Sequence, residues 1–260
     1  MDNFEIQSQG YKTIAHISDL HIGRWSRGYK STVLLQKALK KIEADLIVVT
    51  GDITENGRLA EYRIFNEIFS DFLDQGRVLI VPGNHDRLGH EVANKIMDGR
   101  DMEVFHTDGL YLVKVDTTGE HNRRLFSGHG NFDQSMLTHL LKLISEAGSN
   151  DLVIVIFHHH PLPLAEDLIS EKIASFLGWP YASELSIGTE LIERLRGKCD
   201  LVLHGHRHQY SENIFVEGSR PLRIYNAGAS NLHRRFRLFK YASGKLLESP
   251  DWIDVASLDL

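Results

Sequence analysis

An α/β fold is what the sequence predicts, and two observations carry the expectation. Apolar, β-branched runs of strand length alternate with amphipathic helical stretches through the first half of the chain. Five such runs along the chain also end alike, with Asp, His or Asn following within a few residues. Thr13–Ser18 leads into Asp19-Leu20-His21, Leu46–Thr50 into Gly51-Asp52, and Val78–Val81 into Gly83-Asn84-His85-Asp86. Leu152–Phe157 leads into His158-His159-His160, and Leu201–Leu203 into His204-Gly205-His206-Arg207-His208. In α/β proteins the carboxyl ends of strands converge on a ligand crevice, so the five clusters are expected to share one rim.

The elements follow in order. After the first strand, Ser31–Ala44 places Leu35, Leu39 and Ile42 on one helical face. Leu59–Gln75 does the same with Tyr62, Phe65, Phe69 and Phe72, and Gly76 is its C-terminal stop. Leu110–Asp116 is a strand entered from an Asp-Gly turn. Asp133–Ala147 opens on an N-cap Asp and carries Leu137, Leu140, Leu141 and Ile144 as its stripe. Ser186–Arg196 is a further helix, closed by Gly197. Asn213–Val216 and Leu222–Tyr225 flank a hairpin loop, and Phe236–Tyr241 is a last strand. This second half alternates less regularly, which implies a mixed sheet or two sheets. No repeat or linker divides the chain, so residues 1–260 read as one domain.

Composition narrows the classes. A formal charge of −6 opposes a general nucleic-acid coat, although it leaves room for a local basic groove. The single Cys199 rules out an intramolecular disulfide and a thiolate metal cage. Fifteen His are the compositional excess, and much of it falls in the clusters above. The longest apolar runs are too short to span a bilayer. Residues 1–10 lack the basic and apolar regions of a signal peptide, so a cytoplasmic location is expected.

The chemistry follows from the donor set. Asp19 and His21, like His206 and His208, are two residues apart and in extended backbone point to one side. Asp52 offers a carboxylate able to bridge two cations, and Asn84 a neutral amide oxygen. Carboxylate, imidazole and amide donors without sulfur suit Mn, Fe, Zn, Co or Ni. Two such cations about 3.5–4 Å apart neutralise charge and acidify water, which phosphoryl transfer exploits.

At these residues the sequence resembles the calcineurin-like metallophosphoesterase family, whose five blocks appear in order between positions 19 and 208. The resemblance implies a four-layer α/β/β/α sandwich of two mixed sheets flanked by helices, with the metal site at the C-terminal rim of the strands. It puts Asp19, His21, Asp52 and His208 on one metal, and Asp52, Asn84, His159 and His206 on the other. His85 resembles the family's non-ligand catalytic His, a proton donor to the leaving oxygen, which Asp86 would orient. Counting back from Pro161 selects His159 as ligand, whereas a slip of one residue selects His158.

The compact length and complete motif set look most like the class III cyclic-nucleotide phosphodiesterase branch, acting on a small phosphate ester with two divalent or mixed-valence ions, Mn, Fe or Zn. Rival readings are a nucleotide-sugar or lipid-linked diphosphate hydrolase, a DNA-repair nuclease, and a catalytically dead scaffold on the same fold. Segment 161–185, with Pro161, Trp179 and Tyr181 around a helical pattern at Ala165–Leu177, is open to three roles: a lid, a homodimer contact or a packing element. Arg24, three residues beyond His21, is open to a phosphate contact or a solvated position, and His121, Arg123 and Arg124 lie in a polar loop that could reach a substrate but reads as solvated. The run His233–Lys240 mixes bases with aromatics and reads as a basic edge strand rather than a nucleic-acid surface.

Overall fold

The computed structural model describes residues 10–23, 26–89, 92–123, 128–162, 185–216, 218 and 220–260, with backbone alone at 26 and 27. Arg24, Arg124 and all but the ends of segment 161–185 therefore lie outside the described residues. Two sheets face each other. The first contains β1 (Lys12–Ile17), β2 (Leu46–Thr50) and β3 (Val78–Val81) in parallel, then β10 (Arg235–Ala242) antiparallel to β1. Both β11 (Lys245–Leu246) and β12 (Asp251–Asp254) pair with the far side of β10. The second sheet runs in the order β4-β5-β6-β7-β9-β8. Its centre is four parallel strands, β5 (Leu110–Val115), β6 (Leu152–Ile156), β7 (Leu201–His204) and β9 (Leu222–Ala227). The antiparallel edges are β4 (Met102–Thr107) and β8 (Tyr210–Phe215).

Strand periodicity sorts the side chains into layers. Ile14, Val48, Val81, Leu112, Ile154, Leu203 and Phe239 point between the sheets, where Tyr225 meets Phe239 edge to face at 5.3 Å. Ala15, Ile17, Ile47 and Val49 point outward under α1 (Ser26–Lys41) and α2 (Leu59–Ile68). On the other side Val113, Val155 and Val202 lie under α5 (Gln134–Ile144) and α6 (Gly188–Leu195). Two mixed sheets flanked by helices are therefore the architecture. The parallel strands of both sheets deliver their carboxyl ends to one rim. Among the described residues no helix is long and apolar enough to cross a membrane.

Several expectations are refined. The stretch Leu59–Gln75 breaks at Phe69, whose backbone (φ −100°, ψ 11°) ends α2 and starts α3 (Ser70–Asp74). Gly76 stops the pair at φ +66°, a conformation glycine adopts without the Cβ clash. Asp133 caps α5 as expected, accepting from Ser135 N and Met136 N at 2.9 Å each. Also present are α4 (Val92–Met97) and α7 (Ser230–His233), both too short to give a helical stripe.

The strand at Phe236–Tyr241 is not an edge. It pairs with β1 on one side and with β11 and β12 on the other. Its bases are absorbed by stacking. Arg237, only 4% exposed, lies 4.2 Å from the Trp252 ring and 4.8 Å from Tyr225, and donates to Ser211 O at 3.1 Å. Arg235 covers the same indole at 4.2 Å. This Arg–Trp–Arg stack joins the margin of one sheet to that of the other.

Candidate metal centre

The five clusters meet at the rim, and the backbone there is unusual. Nine non-glycine residues among those described have φ in the left-handed region, and five of them are Asp19, His21, Asp52, His206 and His208. Each such residue costs on the order of 1–3 kcal/mol, so the surroundings must impose it. They do so by zipping one loop to the next. Asp19 N donates to Gly51 O (3.1 Å), His21 N to Asp52 O (2.9 Å) and Ile22 N to Ile53 O (2.8 Å). Gly205 N donates to His158 O at 3.0 Å, and His206 N to Asp19 Oδ2 at 3.1 Å.

Glycines let these loops approach. A Cβ at Gly83 would lie 2.1 Å from Asp52 Oδ1, and one at Gly205 would lie 1.9 Å from Ser18 Oγ and 2.6 Å from Asp19 Oδ2. At Gly51 (φ +87°) a Cβ would meet the His158 ring at 2.5 Å.

Three groups of potential ligand atoms result among the described residues, of which His21, Glu55 and His85 form one and the other two share Asp52. Asp19, His21, Asp52 and His208 form the first of these two, with every donor atom within 4.8 Å of the others. Asp52, His158 and His206 form the second, joined by Asn84, whose Oδ1 lies 3.2 Å from His158 Nε2 and 3.0 Å from His206 Nδ1. Asp52 belongs to both. Its Oδ2 is 3.7 Å from His21 Nε2 and 3.3 Å from His158 Nε2.

The residues fit a pair of cations. Asp19 Oδ1 is buried without a hydrogen-bond partner. Ring nitrogens face each other in pairs, His21 Nε2 with His208 Nε2 at 2.9 Å and His158 Nε2 with His206 Nδ1 at 3.3 Å. The far nitrogens set the tautomers. His158 Nδ1 donates to Thr50 O at 2.7 Å, and His21 Nδ1 faces Glu55 Oε2 at 2.8 Å. In the neutral ring each Nε2 then keeps a lone pair aimed at the centre.

The expected sites are thus brought together with two corrections. Of the two histidines between which the register left the choice open, His158 joins the second group, and His159 lies against it with its ring 5.0 Å from that of His206. Leu152, Ile154 and Ile156 face between the sheets, and His158 continues that period-two series across to Thr50, while His159 sends its Nδ1 toward Thr117 and keeps its ring beside His206. That Nδ1 meets Thr117 Oγ1 at 2.7 Å. The alternation of β6, carried two residues past the strand, is the sequence signal that distinguishes the two.

The second correction concerns Asp86, which does not touch the His85 ring. Its buried carboxylate accepts from Gly83 N (2.9 Å), Ile53 N (3.2 Å), Thr54 N (2.9 Å) and Thr54 Oγ1 (2.8 Å), and so ties two of the loops together. Burial and the nearby Asp52 charge push its pKa up, against the hydrogen bonds from Gly83 and Thr54.

What holds His85 is a residue the sequence reading passed over. His85 Nδ1 donates to the carbonyl of Glu55 at 2.7 Å, and the Glu55 carboxylate faces His21. The His85 ring stands edge-on to His21 at 4.7 Å and keeps 30% of its side chain exposed.

Charge is concentrated on Asp52 and His158. Burial opposes charge on both. The Asp52 carboxylate nevertheless pushes His158 up to about 10, and His158, His21 and His85 hold Asp52 well below the usual carboxylate range. A cation on His158 must displace that proton. Calorimetric titration with Mn²⁺ in two buffers of different ionisation enthalpy is expected to show net proton release at neutral pH. Because the raised pKa lies near 10, apparent affinity should keep rising with pH toward that value. A heat of binding that is the same in both buffers would mean that His158 is neutral before loading.

The comparisons agree with this geometry. A family model described as calcineurin-like phosphoesterase matches residues 12–210. A probable cyclic nucleotide phosphodiesterase of Pseudoalteromonas sp. is 26% identical over 235 residues, 86% of this chain and 80% of its own length. One from Ruthia magnifica is 33% identical over 216 residues, 77% of this chain and 80% of that protein. Among solved structures, a dimetal phosphatase from Danio rerio superposes with a TM-score of 0.60 at 11% identity, covering 94% of this chain and 99% of that one, a likeness of fold. With two loop-borne Asp and His groups at the shared rim and the family match across most of its length, this chain belongs to the calcineurin-like phosphoesterases, metal-dependent hydrolases of phosphoric esters.

Proposed function

We propose that the protein is a dinuclear phosphodiesterase acting on cyclic nucleotides or related small phosphodiesters. The observation that carries the reading is the single Asp52 oxygen facing His21 on one side and His158 on the other, with His85 exposed beside them. Asp19, His21, Asp52 and His208 would hold one ion, and Asp52, Asn84, His158 and His206 the second; Mn, Fe or Zn suit the donors. Such ions supply charge neutralisation for the phosphoryl group and acidify water.

The chain's own residues do the rest. A carbonyl can only accept, so the bond to Glu55 O fixes a proton on His85 Nδ1. The outward Nε2 can then give a proton to a leaving oxygen only from the imidazolium form, and the neutral ring accepts one there. Glu55 keeps that ring and His21 in fixed relation. Asp86, by clamping the 51–54 and 83–86 loops, holds Asp52 and Asn84 at the spacing the two groups require. All ligand positions are filled, which opposes the scaffold reading, and the two Probable cyclic nucleotide phosphodiesterases above favour a diester substrate.

Reconstituted with Mn²⁺, the wild type is expected to hydrolyse bis(p-nitrophenyl) phosphate and a 3′,5′-cyclic nucleotide. Turnover of the first without the second would move the reading to the nucleotide-sugar or lipid-linked diphosphates. Elemental analysis separates the adjacent histidines. His158→Ala should lose the second ion, whereas His159→Ala should retain both; the reverse pattern would restore His159 as the ligand. His85→Ala should keep its metals and lose roughly 10²–10⁴ in rate on an alkyl diester. Its loss on the p-nitrophenyl diester should be smaller, because that leaving group needs no proton. Equal losses on the two would remove the donor role.

A further inference from the structure

Three glycines stand between Thr117 and Phe132, in the stretch that runs past the His206 end of the centre, and they are there for different reasons. A Cβ at Gly119 would meet the His121 ring at 2.9 Å, and one at Gly130 would meet Leu185 Cδ2 at 2.4 Å and His159 Cγ at 2.6 Å. Packing excludes a side chain at both. Gly128 is different. Its φ is not in the left-handed region, so the backbone does not require glycine. A Cβ there would make ordinary contacts, 3.5 Å to His206 Cε1, 3.9 Å to Asn84 Nδ2 and 4.0 Å to His206 Nε2. Among the described residues its three nearest atoms thus all belong to two of the groups assigned to the second ion, and a longer side chain would extend from them over the centre.

The described residues on either side of Gly128 are tied together. The rings of His121 and His129 stack at 4.1 Å with their planes 13° apart. His121 Nε2 and Asn122 Nδ2 both donate to His129 O, at 2.7 and 3.0 Å, and Asn131 N donates to Thr117 O at 2.7 Å. His85, by contrast, stands beside His21, in the other group.

We propose that Gly128 is the position that sets the preference for phosphodiesters over phosphomonoesters. With the leaving alcohol beside His85, the ester group that stays on phosphorus lies over His206 and Asn84, in the room left by the missing side chain. In hydrolysis a water oxygen bonds to phosphorus and the P–O bond to the leaving alcohol breaks. That alcohol takes a proton from His85, the proton lost by water replaces it, and the retained ester bond is untouched. A monoester presents only an oxygen at this place. The inference rests on the phosphodiesterase reading above.

Two substrates with one leaving group test it: bis(p-nitrophenyl) phosphate and p-nitrophenyl phosphate, on Mn²⁺-loaded protein with metal counted by elemental analysis. Gly128→Val should lower the diester-to-monoester ratio of kcat/KM by about 10-fold or more, the order of discrimination that added pocket bulk gives. A ratio that stays at the wild-type value, both activities falling together or neither, would overturn the role of Gly128. Should the valine variant fail to load two ions, Gly128→Ala, whose Cβ contacts are ordinary, carries the same comparison with a several-fold drop expected and an unchanged ratio decisive against. Wild type inactive on both esters would instead overturn the phosphodiesterase reading, and the inference with it.

Discussion

Asp52 is the group on which the arrangement depends. Its carboxylate is buried at the rim between the two sheets, where an unpaired charge would be prohibitive. The charge is met by His158 from the second sheet, by His21 from the first, and by the backbone N–H of His85 at 2.8 Å. These partners come from loops after β1, β3 and β6, so satisfying one carboxylate fixes how three strand ends sit together. A pair of cations would answer the same need with full charges, which is why the protein tolerates histidine nitrogens facing each other around it.

The sandwich makes this meeting possible by a simple rule. Parallel strands in each sheet end at the same side, and residues of the inward face carry over the edge into the gap between the sheets. His158 reaches Thr50 O across that gap, Tyr225 meets Phe239 within it, and Arg237 spans it at the margin. The rim is therefore held from both sheets, and the strained loops rest on a rigid base.

Much of this was legible in the residues. The central strands stood out because burial on both faces makes each a continuous β-branched run, and the clusters after them stood out because polar residues at such ends have few other reasons to recur. What escaped had physical causes. The helix at Leu59–Gln75 was read as one because Phe65, Phe69 and Phe72 keep helical spacing, but stacking of Phe65 on Phe69 at 4.7 Å accompanies a break that periodicity does not register. The bases of β10 suggested an edge because stacking against Trp252 depends on a strand far along the chain. His159 was preferred to His158 by counting from Pro161, a rule of sequence position, whereas the strand's own alternation selects His158. Glu55 was missed because it acts through a carbonyl in one contact and a carboxylate in another, and a backbone carbonyl leaves no mark in residue type.

The five left-handed residues at the rim have an evolutionary consequence. Asp and His enter that conformation more readily than most side chains but still at a cost, which Gly would remove. For stability alone glycine would serve better at each position, whereas the donor atoms of the centre require the side chains. In a descendant freed from catalysis, positions 19, 21, 52, 206 and 208 would drift toward glycine and asparagine ahead of the surrounding core.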